Sequence, residues 1–233
     1  MPKRAKYPLS VTNPELLAEW DYDKNEITPD KVSKGSDVPV WWRCPKGHGY
    51  ESVVYSRVGG CGCPYCTGRK PYPGETDLAT LYPEIAKEWD CERNSLTPSE
   101  VTPGSHKKVW WLCDKGHSYC SAPYTRTSGS GCPYCANRKV LKGFNDLATT
   151  HPYIALEWHR ELNAPLTPED VTYGSTEKIW WRCSEGHAWK AQVFSRTREK
   201  ASGCPICAGT VKISSPVAPN EAPKIATSLR EMQ

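Results

Sequence analysis

A four-residue ligand constellation recurs three times along this chain at a near-constant period. Cys44-x3-His48 is followed by Cys63-x2-Cys66, Cys113-x3-His117 by Cys132-x2-Cys135, and Cys183-x3-His187 by Cys204-x2-Cys207. Trp41-Trp42, Trp110-Trp111 and Trp180-Trp181 precede the three constellations, and Trp20, Trp89 and Trp158 are spaced by 69 and 69 residues. Self-similarity at a fixed period marks a tandem array. Three thiolates and one imidazole on two short knuckles fit tetrahedral zinc, and four protein ligands close the sphere, which makes each site structural rather than catalytic. A redox Cys-x2-Cys needs no accompanying Cys-x3-His, and a mononuclear iron site prefers four cysteines. Three structural Zn2+ ions are therefore expected. Cys61, Cys91 and Cys120 have no counterparts and read as ordinary thiols, with Cys61 near enough to Cys63 to serve as a substitute ligand.

Metal staples explain an otherwise thin composition. Leu, Ile, Val and Phe make up 36 of 233 residues, beside 12 Cys and 10 Trp. Small units that cannot bury enough aliphatic surface need such cross-links. Each copy opens on a short helical signal with proline at the first position, at Pro14–Trp20, Pro83–Trp89 and Pro152–Trp158. Thr28-Pro29, Thr97-Pro98 and Thr167-Pro168 follow as caps, with acidic residues at the positive end of the dipole. A Gly-Ser turn then leads into a strand ending at the Trp pair, whose indoles are expected as miniature core. Gly47, Gly116 and Gly186 before the ligand His, and Gly62, Gly131 and Gly203 before the third Cys, are expected to supply tight or positive-φ backbone.

The fold class expected is a small metal-stabilised α+β protein of three tandem treble-clef or zinc-ribbon modules, each a short helix followed by a zinc-knuckle β-hairpin. The boundaries are a basic arm at 1–10, modules at 11–70, 71–142 and 143–212, and a Pro-, Ala- and Ser-containing tail at 213–233. Thr67–Thr76 and Ala136–Asn145 read as short connectors. Copy three departs in three places: His159 replaces an Asp, one residue is inserted at Asn163-Ala-Pro-Leu166, and the zinc loop is longer by two.

The run E-W-D or E-W, N-x-L-T-P, V-x-x-G-S, W-W-x-C-x-x-G-H, an Arg nine residues on, and G-C-P-x-C resembles the tandem treble-clef zinc-finger (zinc-ribbon) domain of bacterial, phage and large-virus proteins. The resemblance covers almost the whole chain outside its ends. It implies a knuckle, hairpin and helix unit around zinc. It also implies a role with nucleic acid, because some members carry nuclease domains of the restriction or mismatch-repair type.

Charge alternates within each copy. Residues 11–40, 71–109 and 143–179 carry −4, −3 and −4, whereas 41–70, 110–142 and 180–212 carry +4 each. The formal total of +4 falls to about +1 once each three-thiolate zinc site contributes −1. Arg57, Arg126 and Arg196 recur nine residues after the ligand His. Arg69-Lys70 and Arg138-Lys139 follow the last Cys, and Arg198 lies on the third zinc half. These eight residues are the candidate nucleic-acid contacts, since Arg and Lys on a rigid zinc unit suit phosphate. The competing reading puts the recurring Arg on its module's own Trp and leaves the Arg-Lys pairs as solvated exit segments.

Nucleic-acid binding, DNA more than RNA, is the expected function. A protein-interaction or scaffolding array is the alternative, with a nuclease or another mobile-element or defence protein as a possible partner. A treble-clef nuclease is disfavoured: His106, His151 and His159 recur in no other copy, and the recurring Asn25, Asn94 and Asn163 suit a turn beside the cap. No catalytic residues are assigned. There is no signal-peptide pattern and no apolar run of membrane-spanning length. A cytoplasmic location without membrane association is expected, with nucleoid association if the array binds DNA.

Overall fold

In a computed structural model, the residues described are 7–211. Lys3, Arg4, Lys6 and the tail at 213–233 lie outside them. The chain falls into two compact units, one through Ser130 and one from Gly131.

Each copy contains one antiparallel hairpin. β1 (Pro39–Arg43) pairs with β2 (Gly49–Val53), β3 (Val109–Leu112) with β4 (Ser118–Ser121), and β5 (Lys178–Arg182) with β6 (Ala188–Gln192). Side chains alternate across a strand, so one Trp of each pair faces inward. Trp42, Trp111 and Trp181 are fully buried. Their indole N–H groups donate to the carbonyls of Ser52, Ser121 and Ala191 across the hairpin. Trp20, Trp89 and Trp158 meet them edge-on at 5.3, 5.2 and 5.9 Å, an arrangement that suits the aromatic quadrupole. The expected Trp core is therefore present in all three copies.

The proline-led signals form short helices: a two-turn 3-10 helix at Pro14–Glu19 and single α-turns at Pro83–Ala86 and Pro152–Ala155. Thr97 and Thr167 close capping boxes with Glu100 and Asp170. Thr28 instead bonds Asp30, one residue short of the capping-box spacing.

Three further turns, Leu9–Thr12, Leu78–Leu81 and Leu147–Thr150, precede these. Each places a fully buried leucine in the core. The backbone N–H groups of Leu9, Leu78 and Leu147 donate to the carbonyls of Val32, Val101 and Val171. The expected arm at 1–10 must therefore end before Leu9, which belongs to the first module's core. Asp77 and Asp146 cap the second and third of these turns, accepting from Thr80 and Thr149 and from the N–H of Gly74 and Gly143.

Asn25, Asn94 and Asn163 are more than turn residues. Each amide donates to the carbonyl of the outer Trp of its pair, Trp41, Trp110 or Trp180, and accepts that residue's N–H. The same carbonyls also accept the N–H of Asp21, Asp90 or His159, so Asn and the segment after the first Trp together cover the outer edge of a two-stranded sheet, where unpaired groups are a liability.

Candidate metal centres and basic surfaces

The first knuckle of each copy is the hairpin turn itself. Between β1 and β2, the Cys44 N–H donates to the His48 carbonyl at 3.1 Å and the Gly47 N–H to the Cys44 carbonyl at 2.8 Å. Gly47, Gly116 and Gly186 sit at φ 89°, 76° and 83°, the left-handed region that an L side chain resists. The second knuckle turns on a different residue from the one expected. Gly62, Gly131 and Gly203 are not in that region, whereas Gly68, Asn137 and Gly209, which follow the last ligand, have φ 67°, 54° and 67°. Asparagine tolerates this conformation best among residues with a side chain, so Asn137 fills the same turn as two glycines.

These turns gather the expected ligands into three quartets: Cys44, His48, Cys63 and Cys66; Cys113, His117, Cys132 and Cys135; and Cys183, His187, Cys204 and Cys207. Within each, the donor atoms lie within 4.8 Å of one another. A tetrahedron with metal–sulfur bonds of about 2.3 Å has S···S edges near 3.8 Å and slightly shorter S···N edges. In the first quartet, Cys44 Sγ is 3.7 Å from Cys66 Sγ, and His48 Nδ1 is 3.5, 3.7 and 3.2 Å from Cys44, Cys63 and Cys66. In the third, Cys183 Sγ is 3.8 Å from Cys207 Sγ, and His187 Nδ1 is 3.6, 3.8 and 3.3 Å from Cys183, Cys204 and Cys207. Cys113 Sγ is 3.5 Å from His117 Nδ1. The donor sets fit structural zinc, one ion per repeat. Cys61 is exposed and stands outside the first quartet.

Thiols packed this closely cannot all ionise unaided. Burial, reinforced by Cys44 and Cys63, pushes the Cys66 thiol up to about 11. The Cys204 thiol, burial and Cys183 push Cys207 up to about 12. A divalent ion removes that opposition and displaces the protons.

The surroundings of the ligands differ. His48 is buried; its Nε2 lies 3.0 Å from a carboxylate oxygen of Glu75, and Tyr72 packs over its ring at 4.3 Å. A carboxylate on the far nitrogen fixes the tautomer that leaves Nδ1 for the metal. The matching residue in copy two is Phe144.

The recurring arginines point inward, which corrects their candidacy as phosphate contacts. Arg57, Arg126 and Arg196 are 5–7% exposed. Arg57 pairs with Glu19 at 2.6 Å, Arg126 with Glu88 at 2.7 Å, and Arg196 with Glu157. Each also donates to a carbonyl of the following loop, at Cys61, Ser130 or Ser202. Their guanidinium carbons lie 5.4, 5.3 and 5.4 Å from the ring centroids of Trp42, Trp111 and Trp181. A group so enclosed, ion-paired and stacked has no face left for a ligand. These arginines tie the short helices Val54–Val58, Pro123–Thr127 and Val193–Thr197 to the glutamates that end or follow the proline-led turns.

Arg69, Lys70, Arg138, Lys139 and Arg198 are exposed. Arg69 donates to the Gly62 carbonyl at 2.7 Å and to Thr67 Oγ1 at 3.0 Å. Arg138 donates to the Gly131 carbonyl at 3.3 Å.

Repeated closed quartets on a hairpin and a short helix define a zinc-binding protein of tandem metal-stabilised modules. The family model described as "Probable Treble clef zinc finger domain" matches residues 16–69, 85–138 and 154–210, and the chain belongs to that family. No curated protein matches the chain. Among the described residues no helix is long and apolar enough to cross a membrane.

Proposed function

We propose that this protein is a nucleic-acid-binding array, favouring DNA over RNA, which holds phosphates with the exposed cations at its zinc knuckles. Its role is binding rather than catalysis, and a DNA-bound array would associate with the nucleoid. Support comes from one recurring arrangement. Arg69-Lys70 and Arg138-Lys139 leave the last ligand at the same spacing, and both arginines are braced by one nitrogen to a carbonyl of their own knuckle. A guanidinium held at one edge by a metal-rigidified turn presents its other donors with little ordering cost. Arg69 and Lys70 also border a cleft of about 290 Å3 whose walls include Ser52 and Ser56. A few phosphate contacts per knuckle gain strength from linkage along one chain.

Binding to single- and double-stranded DNA and RNA across a salt series tests this proposal. Affinity should fall steeply with salt, and changing Arg69, Lys70, Arg138 and Lys139 together to Ala should reduce the logarithmic slope by roughly 3–4, at about 0.9 for each phosphate no longer neutralised. A flat salt response of the wild type would sink it.

A further inference from the structure

The third module has a surface that the other two lack. On the turn at Pro152–Ala155 and the residue after it, Tyr153 is 85% and Leu156 82% exposed. The matching residues are Glu15 and Ala18 in copy one, and Glu84 and Lys87 in copy two, where they form an ion pair at 2.7 Å. Copy three has thus replaced a charged pair with an aliphatic and an aromatic side chain in solvent, and apolar side chains that border an apolar groove mark an interaction site. Beside Leu156 lies a cleft of about 530 Å3 walled by Pro152, Ala155, Leu156, Pro165 and Leu166. Two of these walls, Pro165 and Leu166, belong to the segment that carries the copy-three insertion.

A second cleft of about 600 Å3 shares Leu156, Trp158 and Arg160 with the first and continues past His159 to Arg182. Its charge was rewritten by the same divergence. In copy one Arg43 pairs with Asp21 at 3.0 Å; copy three keeps the arginine as Arg182 but has His159 in place of the aspartate. Arg160 stands next to it. Glu157, on the same cleft, is already taken by Arg196. Two exposed guanidiniums therefore face a rim whose other carboxylates are Glu161 and, on the first cleft, Glu169, which lies 3.8 Å from Lys142.

We infer that this joined apolar and cationic surface is the docking site for a partner-protein segment that carries an aliphatic side chain flanked by carboxylates. The aliphatic and proline walls suit an aliphatic anchor, and Arg160 and Arg182 suit the bidentate geometry of Asp and Glu. A base would instead ask for an aromatic face beside the cations; Trp158, which lines both clefts, is 5% exposed, and Tyr153 lines neither of them. None of its residues is among Arg69, Lys70, Arg138 and Lys139, so it stands independently of the nucleic-acid proposal.

The test is a display selection of random dodecapeptides on the zinc-loaded full chain, followed by affinity measurement of the selected peptides. Enriched sequences should carry Leu, Ile or Val beside Asp or Glu. The double variant Tyr153→Glu, Leu156→Lys, which restores the copy-two pair, should weaken them at least tenfold, as should Arg182→Glu. Zinc content and melting of both variants should match wild type, since all three side chains are exposed. Peptides that are basic or lack an aliphatic anchor, or that bind both variants as tightly as wild type, would overturn the assignment. So would competition by an oligonucleotide, which would give the surface to nucleic acid, or concentration-dependent self-association abolished in the double variant, which would give it to a second copy of the chain.

Discussion

The first and third modules have the same interior and different exteriors. Both stack a buried Trp on a second Trp, clamp it with an Arg–Glu pair and hold an Asn against the strand edge. Outside that shell they diverge. The first module encloses its ligand His with Glu75 and Tyr72 and buries Cys44, whereas Cys183 and His187 are only half-buried. The third gives up the Asp21–Arg43 type of pair and the charged helical face, and gains an apolar cleft. A repeat of this size has no spare core, so zinc, Trp, Asn and the buried Arg leave little freedom inside, while the surface can change from copy to copy.

The largest effect that separates the two modules is metal removal. Structural zinc contributes on the order of 10–16 kcal/mol in small domains, more than a thin aliphatic core can replace. A strong chelator should therefore abolish the cooperative melt, and on titration the more open third site should release its ion before the first. Zinc release followed by mass spectrometry on Cys63→Ser and Cys204→Ser proteins assigns the order. A melt that survives complete metal removal contradicts the metal-dependent fold.

Next come the clamps. Arg57→Ala and Arg196→Ala should each cost about 2–3 kcal/mol in denaturant unfolding, because each removes a buried guanidinium that bonds a carboxylate and a loop carbonyl and stacks on Trp. Lys at either position should recover only part of the stability, since it cannot bond a carboxylate and a carbonyl while stacking on Trp. Equal salt slopes for nucleic-acid binding in Arg57→Ala and wild type would confirm that the residue acts through folding alone.

A smaller effect distinguishes the zinc sites themselves. Glu75→Ala should weaken zinc at the first site roughly 10–100-fold, the usual range for removal of an outer hydrogen-bond partner, and leave the third site unchanged. Equal weakening at both sites would show that Glu75 acts on the fold rather than on His48.

The smallest effect concerns the leading turns. Asp77→Ala and Asp146→Ala should cost about 1 kcal/mol each, as N-caps do, whereas the first module begins this turn at Pro8 with no side-chain cap. At Asp146 burial alone would raise the carboxyl, but hydrogen bonds from Thr149 and Gly143 together hold it below the ordinary value. A depressed folded pKa stabilises above the unfolded value of about 3.9 and loses that contribution as pH falls through the folded one. The stability gap between wild type and Asp146→Ala should therefore be full at pH 7 and shrink below about pH 4; a gap that widens with acid would reverse the sign.

Much of this architecture is legible from spacing. The ligand quartets, the three modules, the Trp core and the proline-led turns all rest on residues close in sequence, where local geometry leaves few choices. The buried leucines of the leading turns escape such a reading because Leu9 stands in the expected arm, while Leu78 and Leu147 fall between a connector and the proline-led signal on which each copy was expected to open. Their recurrence at 69 and 69 residues is the available signal. The role of Asn25, Asn94 and Asn163 is likewise signalled by recurrence, but a side chain that completes a strand edge 16 or 17 residues away cannot be told from a turn former by composition.

Cysteine and histidine spacing by itself determined where zinc binds and how many modules form, because two knuckles joined by one strand and a short helix can close on little else. The direction of the recurring arginines was decided only in three dimensions. Nine residues beyond a ligand His, an arginine can reach outward to phosphate or inward to Trp. The choice falls inward because the helix that carries it packs against a turn 38 or 39 residues earlier, where a glutamate and an indole face already wait. The same packing leaves the cations at the knuckle exits in solvent, and in copy three it opens a cleft beside the two apolar residues that replaced a charged pair.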